Sequence, residues 1–208
     1  MQKGFRFYAL KLCGLLVLIF IFQIIFKGFT ELFVLNQIAY WQVWRFFTAI
    51  FLHGSLVHLF FNAFALALFG SVLESMIGGK RFLYIFIVTG ILANLISVFL
   101  YESALGASGA IFGVIGTLIV LRPLLIVWAF GLPMPIFIAG ILWVFFDILG
   151  IFIPSNVANL AHLSGMLFGL IYGFIYRKNT RRIQKKKSKF RINEGLVRKW
   201  ENYYMRDI

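Results

Sequence analysis

Cysteine occurs once in the 208 residues, at Cys13, so no disulfide can form within the chain; the thiol is read as a small hydrophobe filling space between helices. Acidic side chains are scarce as well. Seven Asp and Glu stand against twenty Lys and Arg, and charged residues of both signs make up 13% of the chain, too few to clothe a water-soluble domain. No His-Glu-x-x-His pattern occurs, which removes the zinc-metalloprotease motif. One aspartate within the apolar stretches, Asp147, cannot form the proton-sharing carboxylate pair of an aspartic protease. What the chain does have is hydrocarbon: 62% of residues are hydrophobic and the mean hydropathy is +0.92. Such a chain must be solvated by lipid. Lipid offers backbone groups no partners, so spanning segments are helices or a closed barrel, and these apolar runs lack the alternation of barrel strands. The expected fold class is therefore an all-α polytopic membrane protein.

Six apolar runs are read as helices, at about residues 8–27, 53–74, 81–101, 108–121, 134–150 and 158–176. The first is taken as a retained helix, not a signal peptide, because Phe26-Lys27-Gly28-Phe29 offers no small-residue cleavage site. Between the first two runs lies GFTELFVLNQIAYWQVWRFFTAI, too apolar for a water-exposed loop and rich in the aromatic residues that favour the interface. It is expected half-submerged at the outer face. With a cytoplasmic N-terminus, Lys3, Arg6, Lys11, Lys80, Arg81, Arg122 and the twelve basic residues from Arg177 onward lie inside, leaving Lys27 and Arg45 outside. That bias of eighteen to two puts both termini in the cytoplasm of a multi-pass cell-membrane protein. Residues 1–177 are read as the membrane domain and 178–208 as a basic cytoplasmic tail. The placement of the +13 formal charge points away from nucleic acid: the tail either attracts anionic lipid headgroups, at about 1 kcal/mol per basic residue near the surface, or is a solvated segment that only fixes topology.

The fourth run is short. Fourteen residues from Ser108 to Leu121 span about 21 Å of a hydrocarbon core about 30 Å thick, with Arg122-Pro123 ending the helix on the cytoplasmic side. Its N-terminus would stop about 9 Å below the outer surface, where non-helical backbone is tolerated only beside protein or a water-filled cavity. A recessed wet pocket is implied, unless the apolar residues after Pro123 prolong the helix past a kink.

His53, His58 and His162 sit in or at the ends of apolar runs, and polar residues in a membrane are costly enough to be candidates for function. Gly165, Gly169 and Gly173 follow His162 on one helical face; Gly109, Gly113 and Gly116 cluster on segment four beside Ser108 and Phe112. Glycine faces that meet would bring Ser108 and His162 opposite one another at similar depth. Serine is a weak nucleophile until a base takes its proton, and a neutral imidazole is the usual activator. His58 and Asn62, spaced i, i+4, project from one face of segment two as oxyanion donors, and the N–H of Ser108 at a helix start is a third. His53 points to another face and is expected at the interface.

These residues resemble the rhomboid family of intramembrane serine proteases. Trp44-Arg45 is similar to that family's WR motif, His58-x-x-x-Asn62 to its HxxxN element, Gly106-Ala-Ser108-Gly109 to its GxSG motif, and Ala161-His162-x-x-Gly165-x-x-x-Gly169 to its AHxxGxxxG segment. The resemblance covers about residues 40–176 and implies a six-helix bundle with a half-submerged outer loop. It also implies a catalytic dyad of Ser108 and His162, an oxyanion hole of Asn62, His58 and the Ser108 N–H, and single-span membrane proteins as substrates, with neither metal nor other cofactor. Phe112 would stack on His162, where some members carry tyrosine. Gly70-x-x-x-Glu74 resembles an element whose glutamate is structural; Trp44, Arg45, Gly106, Gly109, Gly165 and Gly169 are likewise structural. Arg45 is expected to pair with Glu31 or a backbone carbonyl, or to meet headgroups. No carboxylate matches a third triad member; Asp147 on segment five is the one candidate for that place, disfavoured against a position in the outer interface or a role in tuning a gate. The competing reading is a catalytically inactive rhomboid-like chaperone or escort for membrane proteins, against which the intact Ser108 and His162 argue. A transporter is disfavoured by the lack of an inverted repeat.

Overall fold

The computed structural model describes residues 7–38, 40–153 and 157–189, with residues 195 and 199; Lys3, Arg6 and most of the tail beyond Lys189 lie outside them. Residues 7–174 form one compact unit, and the described residues from Ile175 onward belong to a second.

The first unit is a bundle of apolar helices. They are α1 (Tyr8–Ile25), the run from α4 (Leu56–Ala65) through one π-turn (Leu66–Gly70) into α5 (Ser71–Ile77), α6 (Gly79–Ser97), α7 (Ser108–Leu121), α8 (Ile136–Ile151) and the membrane part of α9 (Asn159–Lys189). Among the described residues four stretches are long and apolar enough to cross a membrane: Tyr8–Ile25, Leu56–Ile77, Gly79–Ser97 and Asn159–Asn179; α7 and α8 are shorter. The expected segment starting at residue 53 begins three residues later, because the Ser55 hydroxyl accepts the His58 N–H and caps the helix.

The outer loop folds into α2 (Phe29–Phe33), α3 (Arg45–Thr48) and a 3₁₀ turn (Ala49–Phe51). Its β1 (Leu35–Asn36) pairs antiparallel with β2 (Ser103–Ala104), tying the loop to the approach to α7. Leu35, Ala49, Val98 and Ala104 make a small buried cluster beneath it, while Ile38, Trp41, Val43 and Trp44 stay exposed, the pattern of a segment whose outer side meets lipid or headgroups. The carbonyl of Trp44 receives the N–H groups of Phe47 and Thr48. Arg45 is the loop's pin. Buried, it donates through Nη1 to the carbonyls of Glu31 (2.8 Å) and Val34 (2.6 Å) and through Nε to Gln42 (2.6 Å). Arg45→Ala takes the donor from two part-buried carbonyls, at about 1 kcal/mol or more each, so thermal unfolding in detergent should shift down by roughly 2–4 kcal/mol. Arg45→Lys should recover only part, since an ammonium lacks the guanidinium fork; a native melting curve for Arg45→Ala would contradict this role.

After α7 the chain departs from a longer kinked helix. The N–H of Arg122 closes on Leu118, and residues 126–129 and 132–135 form a hairpin, β3–β4. Phe130 and Gly131 at its tip both have positive φ, 55° and 77°, the demand of a two-residue type I′ turn. Phe130 lies against Trp143 and Phe146 of α8, so the hairpin follows the flank of that helix.

At the other end, Glu74 is wholly buried and accepts the Ala9 N–H at 3.0 Å. It thereby satisfies one of the orphan donors at the start of α1. One turn earlier Gly70 leaves room for Ala9 and Phe82, whose atoms lie 3.1 and 3.2 Å from where a Cβ would stand.

Candidate active site

Helix α7 is packed closely on two sides, backbone to backbone against α9 and glycine to small side chain against α6. Against α9, a Cβ on Gly165 would overlap the carbonyl of Gly109, one on Gly169 that of Gly113, and one on Gly116 that of Met166. Against α6, Gly113 abuts Thr89 and Gly109 abuts Ala93. Thr117 seals the contact by donating to the carbonyls of Gly113 (2.9 Å) and Gly169 (3.0 Å). Small residues permit this approach and carbonyl-directed hydroxyls hold it.

The register of that contact sets the site. Ala161 lies beside Gly109, so their neighbours Ser108 and His162 sit at one level of the α7–α9 seam. One turn below Ser108, Phe112 stacks on His162 with ring centroids 4.4 Å apart and planes 4° from parallel. Ser108 opens α7, its N–H among those without an intrahelical partner. Its hydroxyl makes no hydrogen bond among the described residues.

The approach to Ser108 is fixed by Gly106, which has φ +121° and whose N–H donates to Ala49 (2.9 Å). A Cβ there would stand 2.7 Å from Cε1 of His58, so only glycine suits both the backbone angle and the imidazole lying on it. Asn62, which is buried, donates through Nδ2 to the His58 carbonyl at 2.9 Å, which uses one of its two amide hydrogens.

Two placements correct the sequence reading. His53 does not face outward but is packed inside the protein. It is 2% exposed and meets His58 edge-on with centroids 5.0 Å apart. Gln23 of α1 clasps its backbone, accepting its N–H (2.9 Å) and donating to its carbonyl (3.2 Å). Burial, helped by neighbouring His58, lowers the pKa of this loop imidazole to about 4, so it stays neutral near pH 7. Gln23 was passed over in the sequence, although a lone amide in an apolar run carries the signal that should draw attention.

Asp147 is the second correction. It faces the bundle interior: it is 7% exposed, on the buried stripe that α8 forms with Ile136, Ala139 and Gly140. Its Oδ1 is 3.0 Å from Nδ1 of His162. Trp143, one turn earlier, reaches Phe112 and Phe69, so α8 touches the imidazole's stacking partner as well as the imidazole.

Comparison with known proteins agrees with this architecture. The rhomboid domain family profile matches residues 40–179. YdcA of Bacillus subtilis (strain 168), whose name marks it as a candidate rhomboid protease, is 33% identical over 160 residues, covering 74% of this chain and 74% of its own. RHOMBOID-like protein 6, mitochondrial, of Arabidopsis thaliana is 34% identical over 136 residues, 64% of this chain and 44% of its own. Rhomboid protease GlpG of Yersinia pseudotuberculosis serotype I (strain IP32953) is 30% identical over 151 residues, 71% of this chain and 53% of its own. The chain thus spans about three quarters of the first relative's length and about half of the other two. A profile match over well more than half of the residues, joined to a bundle of apolar helices closed on a glycine seam, settles the classification: the chain belongs to the rhomboid family.

Proposed function

We propose that this protein is an intramembrane serine endopeptidase that cuts single-span membrane proteins in or near the bilayer, with Ser108 as nucleophile and His162 as general base and acid. The observation that carries the reading is the seam of α7 and α9, which sets Ser108 at a helix start level with an imidazole held by stacking on Phe112. In the reaction, Nε2 of His162 takes the Ser108 proton as Oγ bonds to the scissile carbonyl carbon, whose π electrons pass to its oxygen. As that carbonyl re-forms, the C–N bond breaks and the imidazolium returns its proton to the departing amine. Water then repeats the sequence on the acyl-enzyme, freeing the acid and the serine. The oxyanion would be met by the Ser108 N–H with Asn62 and His58, each such donor being worth about 10²–10³ in rate. Basic residues on the tail side of the chain favour cytoplasmic termini and contact with anionic lipid.

Purified protein in liposomes, given several single-span reporters and a fluorophosphonate probe, tests this. Cleavage of at least one reporter together with labelling of the chain is the expected result. A folded chain that cuts none and ignores the probe is instead an escort.

A further inference from the structure

The pairing of α8 with α9 has a definite register. Gly150 of α8 abuts the side chain of Asn159 on α9, where a Cβ would stand 2.6 Å from Nδ2. One turn further in along both helices, Asp147 meets His162. The carboxylate is held in place by helix packing, on the same stripe as Ala139 and Gly140. Oδ1 is 3.0 Å from the imidazole, and the second oxygen, Oδ2, is buried with no hydrogen-bond partner among the described residues. A carboxylate in so apolar a place is costly unless paired, and the partner here is the residue assigned as the base.

We infer that Asp147 is a positioning residue for His162: it accepts the Nδ1–H, fixing the tautomer whose unprotonated Nε2 can take the Ser108 proton. The inference rests on the proposed protease reading and deepens it. A neutral imidazole has one donor nitrogen and one acceptor, and the hydrogen bond made by one decides the role of the other. A carboxylate at Nδ1 can only accept, so Nε2 must be the acceptor. Two restraints then act on the ring, Phe112 setting its plane and Asp147 its rotation within that plane. When the proton arrives, the imidazolium forms 3.0 Å from a fixed negative charge, inside the membrane where such stabilisation is least screened.

Nitrogen-15 NMR of histidine-labelled protein, with the signal of His162 identified by its loss in His162→Ala, reads the tautomer directly in the native chain. The expected spectrum has a protonated Nδ1 and a bare Nε2 on His162. Asp147→Asn keeps the shape but can offer an N–H to Nδ1, reversing the tautomer; kcat should fall on the order of 10²–10⁴-fold with KM unchanged, and Asp147→Glu should restore part of it. A native spectrum with protonated Nε2, or an Asp147→Asn protein that turns over at the native kcat, overturns the inference. Because the spectrum needs no turnover, a chain that cleaves nothing overturns the protease reading separately from the tautomer.

Discussion

Ser108→Ala should reduce cleavage by at least about 10³-fold, to the floor of the assay, and erase fluorophosphonate labelling, while the melting temperature stays near native. The fold should tolerate the change because the Ser108 hydroxyl holds no hydrogen bond among the described residues and the helix start is already fixed by the Ile111 N–H closing on Ala107 (2.9 Å). His162→Ala should fall to the same floor, and the double variant no further, since a nucleophile and its base act as a unit and their losses do not add. Cleavage that survives in Ser108→Ala would remove the nucleophile assignment. A double variant much slower than either single one would show two independent contributions instead of a dyad.

Gly165→Ala should impair the enzyme nearly as badly by a different route. The added methyl would occupy the space of the Gly109 carbonyl, which is backbone and cannot rotate aside. The helices must separate, at about 1–3 kcal/mol for overpacking, and Ser108 and His162 separate with them. A displacement of about 1 Å can cost about 10² in rate, so cleavage should fall by at least that factor. Gly14→Ala on α1 is the matched control: a Cβ there meets nothing within 4 Å, and alanine is the better helix former by up to about 1 kcal/mol. Equal activity in the two variants would deny the seam its role.

The apolar helices were legible in the sequence because length and hydropathy alone decide what crosses a bilayer. Ser108, His58, Asn62 and His162 drew attention because polar groups in apolar runs are expensive. What escaped was pairing between elements. Asp147 lies 15 residues before His162, a separation that means nothing until the α8–α9 register sets them face to face. The burial of His53 could not be read because the residue that clasps its loop, Gln23, lies 30 residues earlier on α1. The stretch after Pro123 was ambiguous for another reason. A short apolar run can be strand or helix, and what decided it was a turn at Phe130-Gly131 requiring left-handed backbone.

Glu74 also bears on biosynthesis. As the chain leaves the ribosome, α1 is made before α5, yet the carboxylate that meets its Ala9 N–H lies 65 positions downstream, on α5. Until α5 has been synthesised and has docked, the start of α1 must remain among water or headgroups, where its early N–H groups find partners. Docking then draws donor and acceptor under cover together. A helix translated before its partner is therefore seated late, locked from behind by a segment that follows it.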